Sequence, residues 1–137
     1  MNLTVRAAEA DDVPGVLALW KAAGTEPSHT DDLENVTRLV TGDPLALIVA
    51  EDGDRIIGSV VAGWDGWRGS IYRLAVAPEL RRRGIGTTLL VRAEQRLADA
   101  GAVRCQAIVV ESDAQAVAFW RASGWEQQSD RARFVKG

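Results

Sequence analysis

The sequence predicts an α/β fold, a mixed and mostly antiparallel sheet with helices on both faces. Three observations carry that prediction. Apolar residues recur with the helical period over 13–23, 31–40 and 84–100. Between the second and third of these, apolar runs over 45–51, 55–64 and 70–77 are separated only by short turns, which makes them antiparallel neighbours. The helix over 84–100 then leads to a further apolar run over 103–110, and so long a crossover makes that strand parallel to the one ending at Ala77.

Each element has a local reason. Leu3–Ala7 reads as a short strand. Asp11 or Asp12 caps a helix running to Ala23, with Val13, Val16, Leu17 and Trp20 on one face and Pro14 in the first turn. A polar loop over Gly24–Thr30 leads to a second helix over Asp31–Val40, where Leu33, Val36, Leu39 and Val40 share a side. Thr41-Gly42-Asp43-Pro44 stops it. Asp52-Gly53-Asp54 is a hairpin turn, Asp65–Gly69 a wider one, and Pro78 ends the third run. The third helix, from Gly84 to Ala100, turns Leu89, Leu90, Ala93, Leu97 and Ala98 inward and meets Gly101 at its C-cap. After the strand at Val103–Val110 comes a short helix over Asp113–Ser123, ended by Gly124. Trp125–Gln128 and Arg131–Val135 are expected to pair as a closing hairpin.

At 137 residues the chain is expected to be one domain, 1–137. Its 16 Lys and Arg against 19 Asp and Glu leave a formal charge of −3, which speaks against nucleic acid or an anionic membrane as the partner. One Cys and one His allow no disulfide framework and no ordinary structural zinc site, so no metal is expected. Triad chemistry would rest on His29 alone, in a polar loop. The amino terminus has no apolar stretch behind a basic start, and the run Ile56–Trp64 is under half of the roughly 20 residues a membrane helix needs. A cytoplasmic location is therefore expected.

The densest chemical signal is Val76-Ala77-Pro78-Glu79-Leu80-Arg81-Arg82-Arg83-Gly84-Ile85-Gly86-Thr87. A strand ends, three arginines follow, and two glycines open an amphipathic helix. The first N–H groups of a helix lack internal partners and its dipole is positive there, which suits a phosphate. Glycine lets the backbone approach a ligand with no Cβ in the way. This is neither a dinucleotide fingerprint, which needs a third glycine where Leu89 stands, nor a P-loop, which needs Gly-Lys-Ser/Thr. A plain strand-to-helix turn with solvated arginines is the alternative.

Arg81-Arg82-Arg83-Gly84-Ile85-Gly86 resembles the Arg/Gln-x-x-Gly-x-Gly/Ala signature of the GNAT superfamily of acyl-CoA-dependent N-acyltransferases. Leu74–Glu79 resembles that family's fourth strand and its exit, and Asp113–Trp125 its Asn-x-x-Ala-x-x-x-Tyr-x-x-x-Gly-Phe helix. The Trp64–Gly69 turn and Tyr72 are similar to a bacterial branch of small members. The resemblance implies acetyl-CoA as co-substrate, with its pyrophosphate on the amides of Arg82, Arg83, Gly84, Ile85, Gly86 and Thr87. It implies a pantetheine arm pairing along Leu74, Ala75 and Val76, and the Leu74 N–H as donor to the thioester oxygen. The side chains of Arg81, Arg82 and Arg83 are then on the pyrophosphate or ribose phosphate.

Two family positions are substituted. The tyrosine proposed as acid to the leaving thiolate is Trp120, whose indole N–H is no proton donor near neutral pH, and the asparagine is Asp113. Both are cofactor-side positions in the family. Alternation along the strand places Ser70, Tyr72, Leu74 and Val76 on one face, so Tyr72 lies two residues before the expected donor. The resemblance implies an acid/base residue at that position in some relatives, which makes Tyr72 an alternative acid. Glu111, at the end of the next strand, is a candidate to take the amine proton through a water. A half-buried strand aromatic and a solvated loop carboxylate are the plain readings of these two. Cys105 reads as a small core side chain. Trp64 and Trp67 line either an acceptor pocket or a homodimer contact, with Asp65 a candidate for a cationic amine. The leading expectation is transfer of acetyl to a primary amine of a small molecule or peptide by direct attack. A non-catalytic acyl-CoA sensor and a purely structural dimer are the alternatives.

Overall fold

Five strands, β1 (Leu3–Ala7), β2 (Leu47–Asp52), β3 (Arg55–Trp64), β4 (Gly69–Val76) and β5 (Cys105–Ala107), stand in sequence order in one sheet. They belong to a computed structural model that describes residues 1–25 and 28–137. β1 to β4 pair antiparallel and β5 joins β4 parallel. The helices are α1 (Val13–Ala23), α2 (Leu33–Gly42), α3 (Ile85–Ala100) and α4 (Ala114–Ala122). The predicted mixed α/β class therefore holds. By internal contacts the chain forms two units, Met1–Ala107 and Ile108–Gly137.

In the first unit α1 and α3 cover opposite faces of the sheet. A Cβ built on Gly58 of β3 would meet Leu89 and Ile85 of α3, whereas one on Gly15 of α1 would meet Ile56 at 3.2 Å. The core between these layers includes Leu47, Ile57, Ile71, Leu89, Leu90 and Leu97, each under 2 % exposed. Burying a side chain of this kind contributes about 1.5–3 kcal/mol. A short 3-10 turn, Ala10–Asp12, precedes α1. Asp12 sits at the N-cap of α1 but does not cap it, because its carboxylate is bound by Arg6 at 2.8 and 2.9 Å. Asp32 caps α2, accepting from the Asn35 amide at 2.7 Å. The expected loop over Gly24–Thr30 includes Glu26 and Pro27, which lie outside the described residues.

Two expectations fail near the carboxyl end. β5 covers Cys105–Ala107 rather than Val103–Val110, and no strand forms over Trp125–Gln128 or Arg131–Val135. A strand pair needs an apolar face to bury. Residues 126–133 are mostly polar, while Phe134 and Val135 remain 92 % and 72 % exposed. In the second unit α4 is capped by Asp113, whose Oδ1 accepts from the Ala116 amide at 3.1 Å.

Candidate active site

The site begins with one extra residue in β4. Val61 pairs with Tyr72 but Ser59 pairs with Ala75, so Arg73 and Leu74 together oppose Val60. This is a β-bulge, and Arg73 sits in it at φ 53°, a left-handed conformation that costs a side-chain-bearing residue roughly 1–2 kcal/mol. The bulge exchanges the two edges of the strand. Before it, the Gly69 amide points away from β3 and donates to the Arg104 carbonyl at 3.1 Å. After it, the Ala77 amide donates to Ile57 of β3 at 2.8 Å, so alternation aims the amides of Leu74 and Val76 away from β3. β5 pairs β4 only over Gly69–Ile71. Among the described residues no strand pairs residues 72–76 on that side, which leaves the Leu74 and Val76 amides on an unpaired edge.

The same bulge corrects the expected strand face. Val76 lies opposite Gly58, on the α3 side, whereas Tyr72 lies opposite Val61 and against Gly63, on the α1 side. Tyr72 and Val76 are therefore on opposite faces. Tyr72 is 49 % exposed, with its ring 3.4 Å from the Cβ position of Gly63.

The exit of β4 builds an amide cradle. A 3-10 turn over Pro78–Leu80 is followed by Arg82 at φ 65° and Gly84 at φ 81°, the N-cap of α3. Gly84 gives its carbonyl to the amide and hydroxyl of Thr88, both at 3.0 Å. Among the described residues the amides of Ile85, Gly86 and Thr87 meet no acceptor, as the start of a helix dictates. The three arginines divide. Arg81 donates to the Ala23 carbonyl at the end of α1 at 2.9 Å, while Arg82 and Arg83 are exposed beside the open amides. Glu79 pairs with Arg55, whose hydrogen bond holds its carboxyl below the usual range.

Sequence reasoning missed the residues that support the bulge. Ser59, wholly buried in β3, donates to the Arg73 carbonyl at 3.0 Å and accepts from the Trp20 indole at 2.8 Å. Arg73 itself is bound by both carboxylate oxygens of Asp31 at 2.8 Å and lies 5.4 Å from the Trp20 ring centroid. The signal was a lone serine within Ile56-Ile57-Gly58-Ser59-Val60-Val61-Ala62.

The turn residues separate. The Asp65 Oδ1 accepts the amides of Arg68 at 2.7 Å and Trp67 at 2.8 Å, and these bonds hold its carboxyl below the ordinary range. The turn thus engages one oxygen of the carboxylate expected to meet an amine. Trp67 is exposed under the Arg68 guanidinium, 4.2 Å from its centroid, while Trp64 helps line a cavity of about 520 Å³ with Leu45, Ile48 and α3. Cys105 is half-buried, and burial pushes its thiol up. His29 is exposed. Among the described residues no group of three or more His, Cys, Asp or Glu is placed to hold a metal ion. Nor is any of their helices long and apolar enough to cross a membrane.

Three of the expected residues lie in the second unit. Glu111 accepts from the Gln127 amide at 3.5 Å, and Asp113 caps α4. Trp120 packs edge-on against Trp125 at 4.8 Å and Phe119 at 6.1 Å between centroids. An indole at this position thus belongs to an aromatic cluster.

Comparison with known proteins gives a consistent answer. The sequence model of the acetyltransferase (GNAT) family matches residues 13–125. An acetyltransferase of Photorhabdus laumondii is 34 % identical over 111 residues, covering 81 % of this chain and 78 % of its own. One of Pectobacterium atrosepticum is 32 % identical over 124 residues, 90 % and 88 % of the two chains. Among solved structures, the PaiA N-acetyltransferase of Thermoplasma acidophilum in complex with coenzyme A superposes with a TM-score of 0.83 at 17 % identity, over 96 % of this chain and 94 % of that one. A predicted acetyltransferase of Clostridium acetobutylicum with acetyl-CoA gives 0.77 at 16 % identity, over 97 % and 96 %.

Proposed function

Because the chain belongs to the acetyltransferase (GNAT) family, we propose that it transfers acetyl from acetyl-CoA to a primary amine of a small molecule or peptide by direct attack on the thioester. That it is an acyltransferase of GNAT type follows from the family. The observation that carries the finer reading is the bulge at Arg73, which aims the Leu74 and Val76 amides to the unpaired side of β4, on the strand that leads into the open amides at the start of α3. In this reading the pyrophosphate lies on the amides of residues 82–87 and the pantetheine arm pairs along Leu74–Val76. Arg82 and Arg83 meet phosphate, and Arg81 ties the loop to α1.

The amine nitrogen adds its lone pair to the thioester carbon, and the Leu74 amide takes the charge that develops on oxygen. The carbon–sulfur bond then breaks and the CoA thiolate leaves, protonated by the Tyr72 phenol or by water. The amine proton goes to water, with Glu111 kept from the sequence as the candidate to receive it. Asp113 and Trp120 are kept as cofactor-side residues on the motif match. We read 1–137 as one working domain, since the family match runs through the junction at 107, and place it in the cytoplasm, a homodimer being an open alternative.

Thermal unfolding with and without acetyl-CoA tests this, with NAD and ATP as controls. Acetyl-CoA at about 100 times its dissociation constant adds about 2.7 kcal/mol. A Tm rise with acetyl-CoA alone, abolished by Gly86→Glu, is the expected result, and no rise at saturation overturns it. Binding without transfer to any amine in a screen favours the sensor reading.

A further inference from the structure

We propose that Trp20 and Ser59 are positioning residues that set the direction of the Leu74 amide, an inference resting on the reading of Leu74 as the donor to the thioester oxygen. Ser59 is the polar residue found buried among the described core, with no exposed surface. Its hydroxyl makes two bonds, accepting from the Trp20 indole at 2.8 Å and donating to the carbonyl of Arg73 at 3.0 Å. That carbonyl belongs to the same peptide unit as the Leu74 N–H, since a peptide plane joins the C=O of one residue to the N–H of the next. In a trans peptide the two bonds point in opposite directions. Holding the Arg73 oxygen toward the interior of β3 therefore holds the Leu74 hydrogen toward the unpaired side of β4.

The rest of the surroundings supports the same plane. Arg73 stays at φ 53°, a conformation that a side-chain-bearing residue abandons unless its neighbours over-determine it. Its guanidinium is bound by both oxygens of Asp31 at 2.8 Å and lies 5.4 Å from the centroid of the ring whose N–H holds Ser59. Trp20 is 4 % exposed, so the indole is fixed by packing. An indole from α1, a hydroxyl from β3 and a carbonyl from β4 thus form one chain ending at the proposed oxyanion donor.

The test follows backbone amide resonances in the whole protein titrated with CoA and with acetyl-CoA. In the wild type the Val76 amide responds to both ligands, and the Leu74 amide responds further to acetyl-CoA, whose carbonyl it meets. In Ser59→Ala the Val76 response persists while the extra Leu74 response falls by more than half. Trp20→Phe, which keeps the ring packing and the serine, moves Leu74 the same way by less, and Ser59→Thr restores it. An unchanged Leu74 difference in folded Ser59→Ala and Trp20→Phe overturns the proposal. A wild type in which Val76 responds to neither ligand refutes the cofactor reading instead, and with it this inference. A wild type in which Val76 responds but Leu74 does not distinguish the two ligands leaves the cofactor site standing and overturns the positioning role.

Discussion

Gly58→Ala tests whether the core of the first unit and the proposed phosphate loop are mechanically one. A Cβ at Gly58 would stand 2.8 Å from Leu89 Cδ1 and 3.3 Å from Ile85 Cγ2. Both partners sit in the first turns of α3 and are buried, Leu89 wholly and Ile85 with 3 % exposed. The Leu89 side chain therefore has little room to turn aside, and α3 is expected to shift by roughly half an ångström to restore ordinary contact. Overpacking of this kind costs about 1–3 kcal/mol. At about 2.1 cal/mol/K per residue the unfolding entropy of 137 residues is about 0.29 kcal/mol/K, so the Tm falls by about 3–10 °C. Because Gly84, Ile85 and Gly86 ride on the displaced turn, the CoA dissociation constant rises by about tenfold, equivalent to about 1.4 kcal/mol. Differential scanning calorimetry and isothermal titration with CoA read the two quantities. Leu89→Val in the Gly58→Ala background removes the atom in the way and recovers part of both. A Tm change below about 1 °C would refute the reasoning, since α3 would then not be pressed on β3 at this point.

Other outcomes follow from the same structure. Arg82→Ala and Arg83→Ala each weaken CoA binding by about two- to fivefold, and the loss shrinks with added salt, because exposed charges act through screened solvent. Arg81→Met instead removes the bond to the Ala23 carbonyl; at about 0.3–1 kcal/mol for a cation at a helix end it lowers Tm by about 1–3 °C with little change in CoA affinity. The side-chain hydrogen bond from Arg6 holds the Asp12 carboxyl below its ordinary value of 3.8. A depressed folded-state pKa stabilises above that value and ceases to do so as pH falls through the folded one. The Tm gap between wild type and Asp12→Asn is therefore full at neutral pH and closes below about pH 4 in a melting series. Tyr72→Phe lowers the rate of thiol release with an amine acceptor by about 10²-fold while leaving the acetyl-CoA dissociation constant unchanged; an unchanged rate leaves the leaving thiolate to water.

Local chemistry was legible without coordinates. The helical period over 13–23 and 84–100, the Asp52-Gly53-Asp54 turn and Gly101 at the end of α3 all act within a few residues, and they appear where the sequence places them. So does the glycine-opened helix start, because unpaired amides at a helix terminus are a property of any helix. The division of labour among Arg81, Arg82 and Arg83 was not legible, since it depends on α1 ending beside Arg81. Nor was the placement of Asp65, whose Oδ1 accepts two amides of its own turn. The largest gap is the bulge. Strict alternation places Tyr72 and Val76 on one face, and nothing in Ser70–Val76 announces an extra residue. The bulge peptide is bonded by Ser59, and Ser59 in turn by Trp20, 14 and 53 residues away from Arg73 in the chain, and these bonds exist only once β3 lies beside β4 and α1 is packed on β3. Sequence by itself determined the family, most of the elements up to α3 and the glycine-opened start of that helix, because these rest on short-range pattern. Only the tertiary structure decided which amides of β4 face outward, because that depends on a hydrogen bond between strands and a packing contact with a helix.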